Sequence, residues 1–109
     1  MAYDEGLAQM MRDDLIHLDG ITEKKMFGGL CFLLNGNMVC GVHKGGAMFR
    51  IGKEREAAAM AIDGARPMDF TGRVMGGFID VEESAMSNDE SRAQWTSMAV
   101  DNAATLPPK

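Results

Sequence analysis

Two short runs of large apolar residues, 30–34 and 38–42, lie on either side of Asn35-Gly36. Asn-Gly favours a two-residue type I′ turn, because both central residues of that turn need a positive φ. The pattern therefore predicts an antiparallel β-hairpin, and the rest of the chain can be placed around it.

The predicted hairpin has a definite register. If Leu34 pairs with Asn37, counting along the strands places Cys31 directly opposite Cys40. Side chains alternate between the two faces of a strand. One face would then carry Cys31, Leu33, Met38, Cys40 and Val42, and the other Leu30, Phe32, Leu34 and Val39. A sheet with one solvated face would alternate apolar with polar residues. Because both faces are apolar, we expect helices on one and a second protomer on the other.

A second turn is predicted at Gly45-Gly46, which would add a third antiparallel strand. In this register Val42 pairs with Phe49. The predicted faces place Phe49 and Ile51 with the cysteines, and Met48 and Arg50 on the opposite side. The three strands form a meander.

Helical patterns flank the meander. Residues 4–18 have apolar side chains at i, i+3 and i+4 spacing, and 53–62 are rich in strong helix formers. A closing helix is predicted to end near residue 104, with Ser87 and Glu90 as a capping box or Asn88 as the alternative N-cap. Further extended segments are predicted at 21–27, 65–70 and 76–81. We predict one α+β domain over residues 1–109, in which an antiparallel sheet packs against N-terminal and C-terminal helices.

Charge is distributed unevenly along the chain. The net charge is −5, which argues against a surface built generally for nucleic acid. However, the segment 24–53 has no acidic residue and contains Lys24, Lys25, Lys44, Arg50 and Lys53. These residues are candidates for binding a partner, either DNA or an acidic protein. The alternative is that they protect strand ends and edges, and we do not expect direct nucleic-acid binding.

The cellular compartment is predicted from export signals, membrane spans and cysteine content. The first residues show no basic region followed by an apolar run, as a signal peptide would. No stretch reaches the roughly 18 apolar residues of a membrane span. Two cysteines are too few for a disulfide framework. We expect a cytoplasmic protein that does not enter a membrane.

The cysteine pair allows two interpretations. Directly opposite cysteines could form a strained disulfide that acts as a redox switch. In a reducing cytoplasm, Cys31 and Cys40 would instead be buried thiols that pack as small apolar groups. Together with His43 they could be considered for zinc, but their spacing lacks the short CxxC pattern of structural sites.

No nucleophile in the sequence has an assignable general base, and the two histidines do not form an acid–base pair. We therefore expect no enzymatic activity and no cofactor.

The order of these motifs resembles the N-terminal domain of the TfoX/Sxy family over nearly the whole chain. The resemblance depends on Met26-Phe27-Gly28-Gly29, the Asn35-Gly36 hairpin, Arg50 followed by Gly52, and Pro67-Met68-Asp69-Phe70 with Gly72-Arg73. It implies an α+β fold and a link to bacterial competence, where members assist a cyclic-AMP-responsive transcription factor. Full-length members carry a second, C-terminal helical domain. This chain ends at Lys109 without a matching segment, so we expect a stand-alone domain.

The function we expect is that of a bacterial regulatory domain that acts through protein contacts, with transcription machinery as the partner and a homodimer as the assembly. The alternative is a module that binds a small ligand or senses redox state. Arg50 is the residue of most interest, because a neighbouring Gly41 would leave space for a partner group to reach its guanidinium. Pairing of Arg50 with Asp69 or Asp80 is the competing interpretation.

Overall fold

The computed structural model describes residues 3–26, 28–70 and 73–108. The helices are α1 (Glu5–Leu15), α2 (Glu56–Met60) and α3 (Asp89–Ala104), and the strands are β1 (Ile21–Met26), β2 (Gly29–Leu34), β3 (Asn37–His43), β4 (Gly46–Arg50), β5 (Ala65–Phe70) and β6 (Arg73–Glu82). Short 3₁₀ helices, Lys53–Arg55 and Glu83–Ser87, precede α2 and α3. The strands form one antiparallel sheet in the order β1-β2-β3-β4-β6-β5. The predicted α+β fold is confirmed.

The helix boundaries follow from local capping. The Asp4 carboxylate accepts hydrogen bonds from the backbone N–H groups of Gly6 and Leu7, which fixes the start of α1. The Asn88 side chain accepts from Ser91 N–H at 2.9 Å and begins α3. Ser87 lies in the preceding 3₁₀ helix, so the capping box predicted there is wrong and the alternative N-cap is confirmed.

Most predicted strands are present with small changes at their ends. β1 ends at Met26, and the predicted extension to Phe27 lies outside the described residues. The segment predicted as an extended connection is β5, which forms one edge of the sheet and accommodates Pro67 there. The last predicted strand is longer than expected and runs over Arg73–Glu82.

A β-bulge changes the register of the central hairpin. Leu34 pairs with Asn37 and Leu33 with Met38, as predicted, but Phe32 pairs with Cys40. The bulge leaves Val39 as the extra residue. Val39 and Cys40 both belong to the helix-covered core, because two residues of a bulged strand oppose one on its partner. The predicted pairing of Cys31 with Cys40 is therefore wrong.

The next turn consists of Lys44-Gly45 rather than Gly45-Gly46, since His43 pairs with Gly46. Gly45 adopts a φ of 95°, the left-handed conformation that glycine accommodates without strain. The register consequently differs by two residues from the prediction, with Val42 opposite Ala47. Because a shift of two does not change parity, Phe49 and Ile51 still share a face with Cys40 and Val42. Cys31 lies on the other face together with Met48, so the predicted grouping of Phe49 and Ile51 with both cysteines, and of Met48 on the face away from Cys31, is wrong.

All three helices cover one face of the sheet, which we call the inner face. Trp95 of α3 is completely buried there, and its indole N–H donates to the Ala59 carbonyl of α2 at 3.2 Å. Its ring lies 6.0 Å from the ring of Phe49 on β4. One buried side chain thus joins two helices to the sheet.

A last structural finding concerns membranes. Across the parts of the chain that the structure describes, no helix is both long enough and apolar enough to cross a bilayer.

Candidate interaction face

The other side of the sheet, the outer face, carries a second apolar cluster. Its described members all lie on strands, so no described helix residue takes part in it. Three of them are buried and form its floor: Cys31, Met48 and Met68. Four are half-buried and surround that floor: Met26, Leu33, Met38 and Phe78. The sheet therefore presents a methionine-rich apolar surface on the side away from the helices.

The centre of the outer face is closely packed around Gly41. Gly41 pairs with Met48 on one side and with Cys31 on the other. A Cβ atom at position 41 would lie 3.0 Å from Met48 Cε and 3.2 Å from Cys31 Sγ. Gly41 therefore lies beside Met48 rather than Arg50, and the Met48 and Cys31 side chains fill the space next to it. The prediction that Gly41 leaves room for a partner group to reach Arg50 is wrong.

Arg50 itself lies on the outer face at the end of β4. It pairs in register with Phe78, and its guanidinium carbon lies 5.8 Å from the centre of the phenyl ring. This distance is within the range of a cation–π contact. The Arg50 side chain is half-buried, and among the described residues no carboxylate forms a salt bridge with it.

Asp80, a predicted alternative partner of Arg50, is engaged elsewhere. Its carboxylate lies 2.6 Å from His43 Nε2 and accepts from Arg66 Nε at 2.7 Å. The second ring nitrogen of His43, Nδ1, lies 2.9 Å from the Lys44 carbonyl. Because both ring nitrogens face oxygen acceptors, neither is free to take a proton from a substrate. This arrangement favours a structural role for the histidine.

The His43–Asp80–Arg66 network is not predicted by any local pattern in the sequence. Asp80 and Arg66 are cross-strand partners, and His43 reaches Asp80 from β3 across β4. The contacts depend on β6 lying between β4 and β5, and no local pattern encodes that strand order.

The remaining basic candidates do not form one patch. Lys24 is exposed on the outer face, opposite Cys31. Lys25 is exposed on the inner side, Lys44 lies in the β3–β4 turn, and Lys53 begins the 3₁₀ helix before α2. Lys24 and Arg50 are three strands apart, or about 14 Å at the usual spacing of strands. Of the five basic residues, Lys24 and Arg50 lie on the outer face, and they are too far apart to bind one small group together.

Acidic residues concentrate in the helical layer. Helices α1 and α3 together carry six carboxylates, Glu5, Asp13, Asp14, Asp89, Glu90 and Asp101. Only two basic residues lie in the same helices, Arg12 and Arg92, and each is paired. The acid-free segment of the sequence forms β2, β3, β4 and part of β1. The net negative charge therefore lies mainly on the side away from the outer face.

The two cysteines lie on opposite faces of the sheet, with Cys31 in the outer cluster and Cys40 in the inner core. Both are free thiols. Burial raises the pKa of Cys31, and raises the pKa of Cys40 well above its ordinary value. Protonated thiols are poor nucleophiles and poor metal ligands. The geometry does not support a disulfide between them or a shared zinc site, and no group of three or more metal-binding side chains occurs among the described residues.

A groove of about 310 Å³ lies between α1 and α3. Asp14, His17 and Asp101 line its polar side, and Leu18 and Val100 line its apolar side. Asp14 is already bound by Arg92 Nε at 2.8 Å. Because one of its two carboxylates is already paired, the groove is a weaker candidate than the outer face.

Comparison with family models gives one match, to the TfoX N-terminal domain, over residues 13–103. No curated protein and no solved structure matches the chain. The matched segment begins within α1 and ends in α3, so it includes the complete sheet and both of its faces. It covers most of the 109 residues, and the chain therefore belongs to the TfoX N-terminal domain family.

Proposed function

We propose that this chain is a non-catalytic regulatory domain that acts in the cytoplasm through contacts with another protein. The observation that supports the proposal is the outer face, where apolar side chains form a surface without a described helix over it. Methionine side chains are flexible and polarizable, and they adapt to partners of different shape. A bound partner would fully bury three side chains that are now half-buried, those of Met26, Met38 and Phe78.

Family membership directs the choice of partner. TfoX-type regulators are associated with competence and with a cyclic-AMP-responsive transcription factor. We therefore propose that the partner belongs to the transcription machinery of the host. The proposal needs no cofactor and no direct contact with DNA.

The test is affinity capture of the tagged protein from a lysate of its own host, with bound proteins quantified by mass spectrometry. Three forms are compared: wild type, Met38→Asp on the outer face, and the control Gln94→Glu on the exposed side of α3. Circular dichroism and thermal melts establish that all three are folded. We expect a transcription protein in stoichiometric amount with wild type and control, and at least tenfold less with Met38→Asp.

Equal recovery with Met38→Asp would contradict the proposal, and so would the absence of any partner from the wild-type capture. Self-association, which was predicted from the two apolar faces of the sheet, is measured separately by light scattering. A dimer that Met38→Asp converts to a monomer would assign the outer face to a second copy instead of a different protein.

A further inference from the structure

We infer that the partner segment seated on the outer face is an acidic amphipathic peptide segment, with apolar side chains against the methionines and a carboxylate on Arg50. This inference depends on the proposed function, because it specifies the chemistry of the partner at the same surface.

The Arg50 side chain is fixed at one end of the apolar surface. Its guanidinium carbon lies 5.8 Å from the centre of the Phe78 ring, and the two residues are direct partners on β4 and β6. At the backbone, the Arg50 carbonyl lies 3.5 Å from Asn102 Nδ2 of α3. The N–H groups of a guanidinium match the two oxygens of a carboxylate, and among the described residues no carboxylate forms a salt bridge with Arg50.

Two carboxylates near this end of the sheet are already engaged, and Asp69, the other predicted partner, forms no salt bridge with Arg50 among the described residues. His43 and Arg66 occupy Asp80. The Glu56 carboxylate accepts from the backbone N–H of Gly77 at 2.9 Å. The described residues thus leave the charge of Arg50 without an internal counterion, in surroundings where apolar side chains strengthen electrostatic attraction.

The charge around the outer face selects the sign of the partner. Lys24 is a second cation on this face, and residues 24–53 contain no acidic residue. The carboxylates that β6 adds to the face, Asp80 and Glu82, are both bridged by Arg66, at 2.7 Å and 4.0 Å. The carboxylates of α1 and α3 lie in the layer on the other side of the sheet. An acidic segment would therefore approach a surface of complementary charge even though the whole chain is negative.

A second copy of this chain fits the same surface less well. The six carboxylates of α1 and α3 lie on helices whose apolar side chains are already buried against the inner face. Among the described residues, Ile16 is the only large apolar side chain that is strongly exposed, at 76%. One isoleucine does not make an apolar stripe, so a separate acidic and apolar segment is the better occupant.

The test uses two synthetic helical peptides with the same leucine stripe, one with glutamates and one with lysines on the polar side. Binding to the full chain is measured by fluorescence anisotropy. Arg50→Gln is compared with Arg66→Gln, a matched control on the same face whose arginine already has a carboxylate partner. We expect the glutamate peptide to bind, Arg50→Gln to weaken it at least tenfold, and Arg66→Gln to change it less than threefold.

The inference is overturned if the lysine peptide binds as well as the glutamate peptide, if neither binds, or if Arg50→Gln has no effect. Its failure can be separated from failure of the proposed function. If capture of a host protein depends on Met38 but not on Arg50, the proposed interaction domain stands and the acidic segment is refuted. If capture depends on neither residue, both proposals are refuted.

Discussion

Replacement of Trp95 by phenylalanine tests how the inner core holds the sheet in place. Trp95 is completely buried, donates to Ala59 of α2 and packs against Phe49 of β4. Phenylalanine retains an aromatic ring at the same position but loses the indole N–H and part of the buried volume. The variant therefore weakens the contact among α3, α2 and β4 without introducing a polar group.

The magnitude can be worked out from these contacts. Phenylalanine has three fewer ring atoms than tryptophan, and at about 0.8 kcal/mol for each buried carbon-sized group this loss is about 2.4 kcal/mol. The lost hydrogen bond adds about 1 kcal/mol. The Ala59 carbonyl also accepts from the Ile62 N–H at 3.3 Å, so it is not left without a donor. We expect the free energy of unfolding to fall by about 3 kcal/mol, against total stabilities of about 5–15 kcal/mol for natural domains.

The assay is urea denaturation followed by far-UV circular dichroism, because Trp95 is the single tryptophan and its fluorescence disappears in the variant. Gln94→Ala, exposed on the adjacent position of α3, is the control and should stay within about 0.5 kcal/mol of wild type. A loss below about 1 kcal/mol in Trp95→Phe would refute the reasoning, because it would mean that the indole is neither closely packed nor usefully bonded.

Three further predictions concern electrostatics, capping and the thiols. The Arg12 hydrogen bond lowers the pKa of Glu23, so this contact stabilises the fold above the ordinary glutamate pKa and its contribution disappears as pH falls through the lowered value. With both side chains 36% exposed, Glu23→Gln should cost at most about 1 kcal/mol at pH 7, and this cost should shrink as the pH falls below the ordinary glutamate pKa, as measured by urea melts. Asn88→Ala should lower the free energy of unfolding by about 1 kcal/mol, because it removes the N-cap of α3, while Ser87→Ala should have little effect. A larger loss from Ser87→Ala than from Asn88→Ala would contradict the capping assignment. Both thiols should stay unmodified by a thiol reagent in the folded protein and react at once in denaturant, whereas rapid labelling of the native state would contradict their burial.

The fold class and most strand positions were predictable because they depend on local patterns. The Asn35-Gly36 turn is present, with φ values of 51° and 86°, and the pairs next to it have the predicted register. The glycine pair at 45–46 indicated a turn but not its position, because either Lys44-Gly45 or Gly45-Gly46 can occupy a two-residue loop. The error in the β3–β4 register was two residues. Because two is an even number, the side chains of β4 kept the predicted faces relative to those of β3.

The bulge at Val39 could not be predicted from the alternation of apolar residues. A bulge changes parity, and an apolar run with no polar residues gives no sign of where parity changes. As a consequence, Cys40 and Val42 belong to the inner core instead of the face of Cys31. The predicted grouping of Cys40, Val42, Phe49 and Ile51 on one face is nevertheless correct, because all four lie beyond the bulge.

The candidate site was predictable in composition but not in arrangement. The sequence indicated Arg50 and a second apolar face, and both are present. The contact of Arg50 with Phe78 and the engagement of Asp80 by His43 and Arg66 depend on the position of β6 beside β4. Strand order of this kind is set by packing over the whole domain, and no single segment encodes it.

The central claim is that the outer face is the surface that binds another protein. The most direct measurement is photo-crosslinking in host cells, with p-benzoylphenylalanine in place of Met38 and, in a parallel strain, in place of Gln94. The account predicts a discrete covalent adduct with another protein from position 38 and none from position 94. An adduct from position 94 alone, or none from either position, would contradict it.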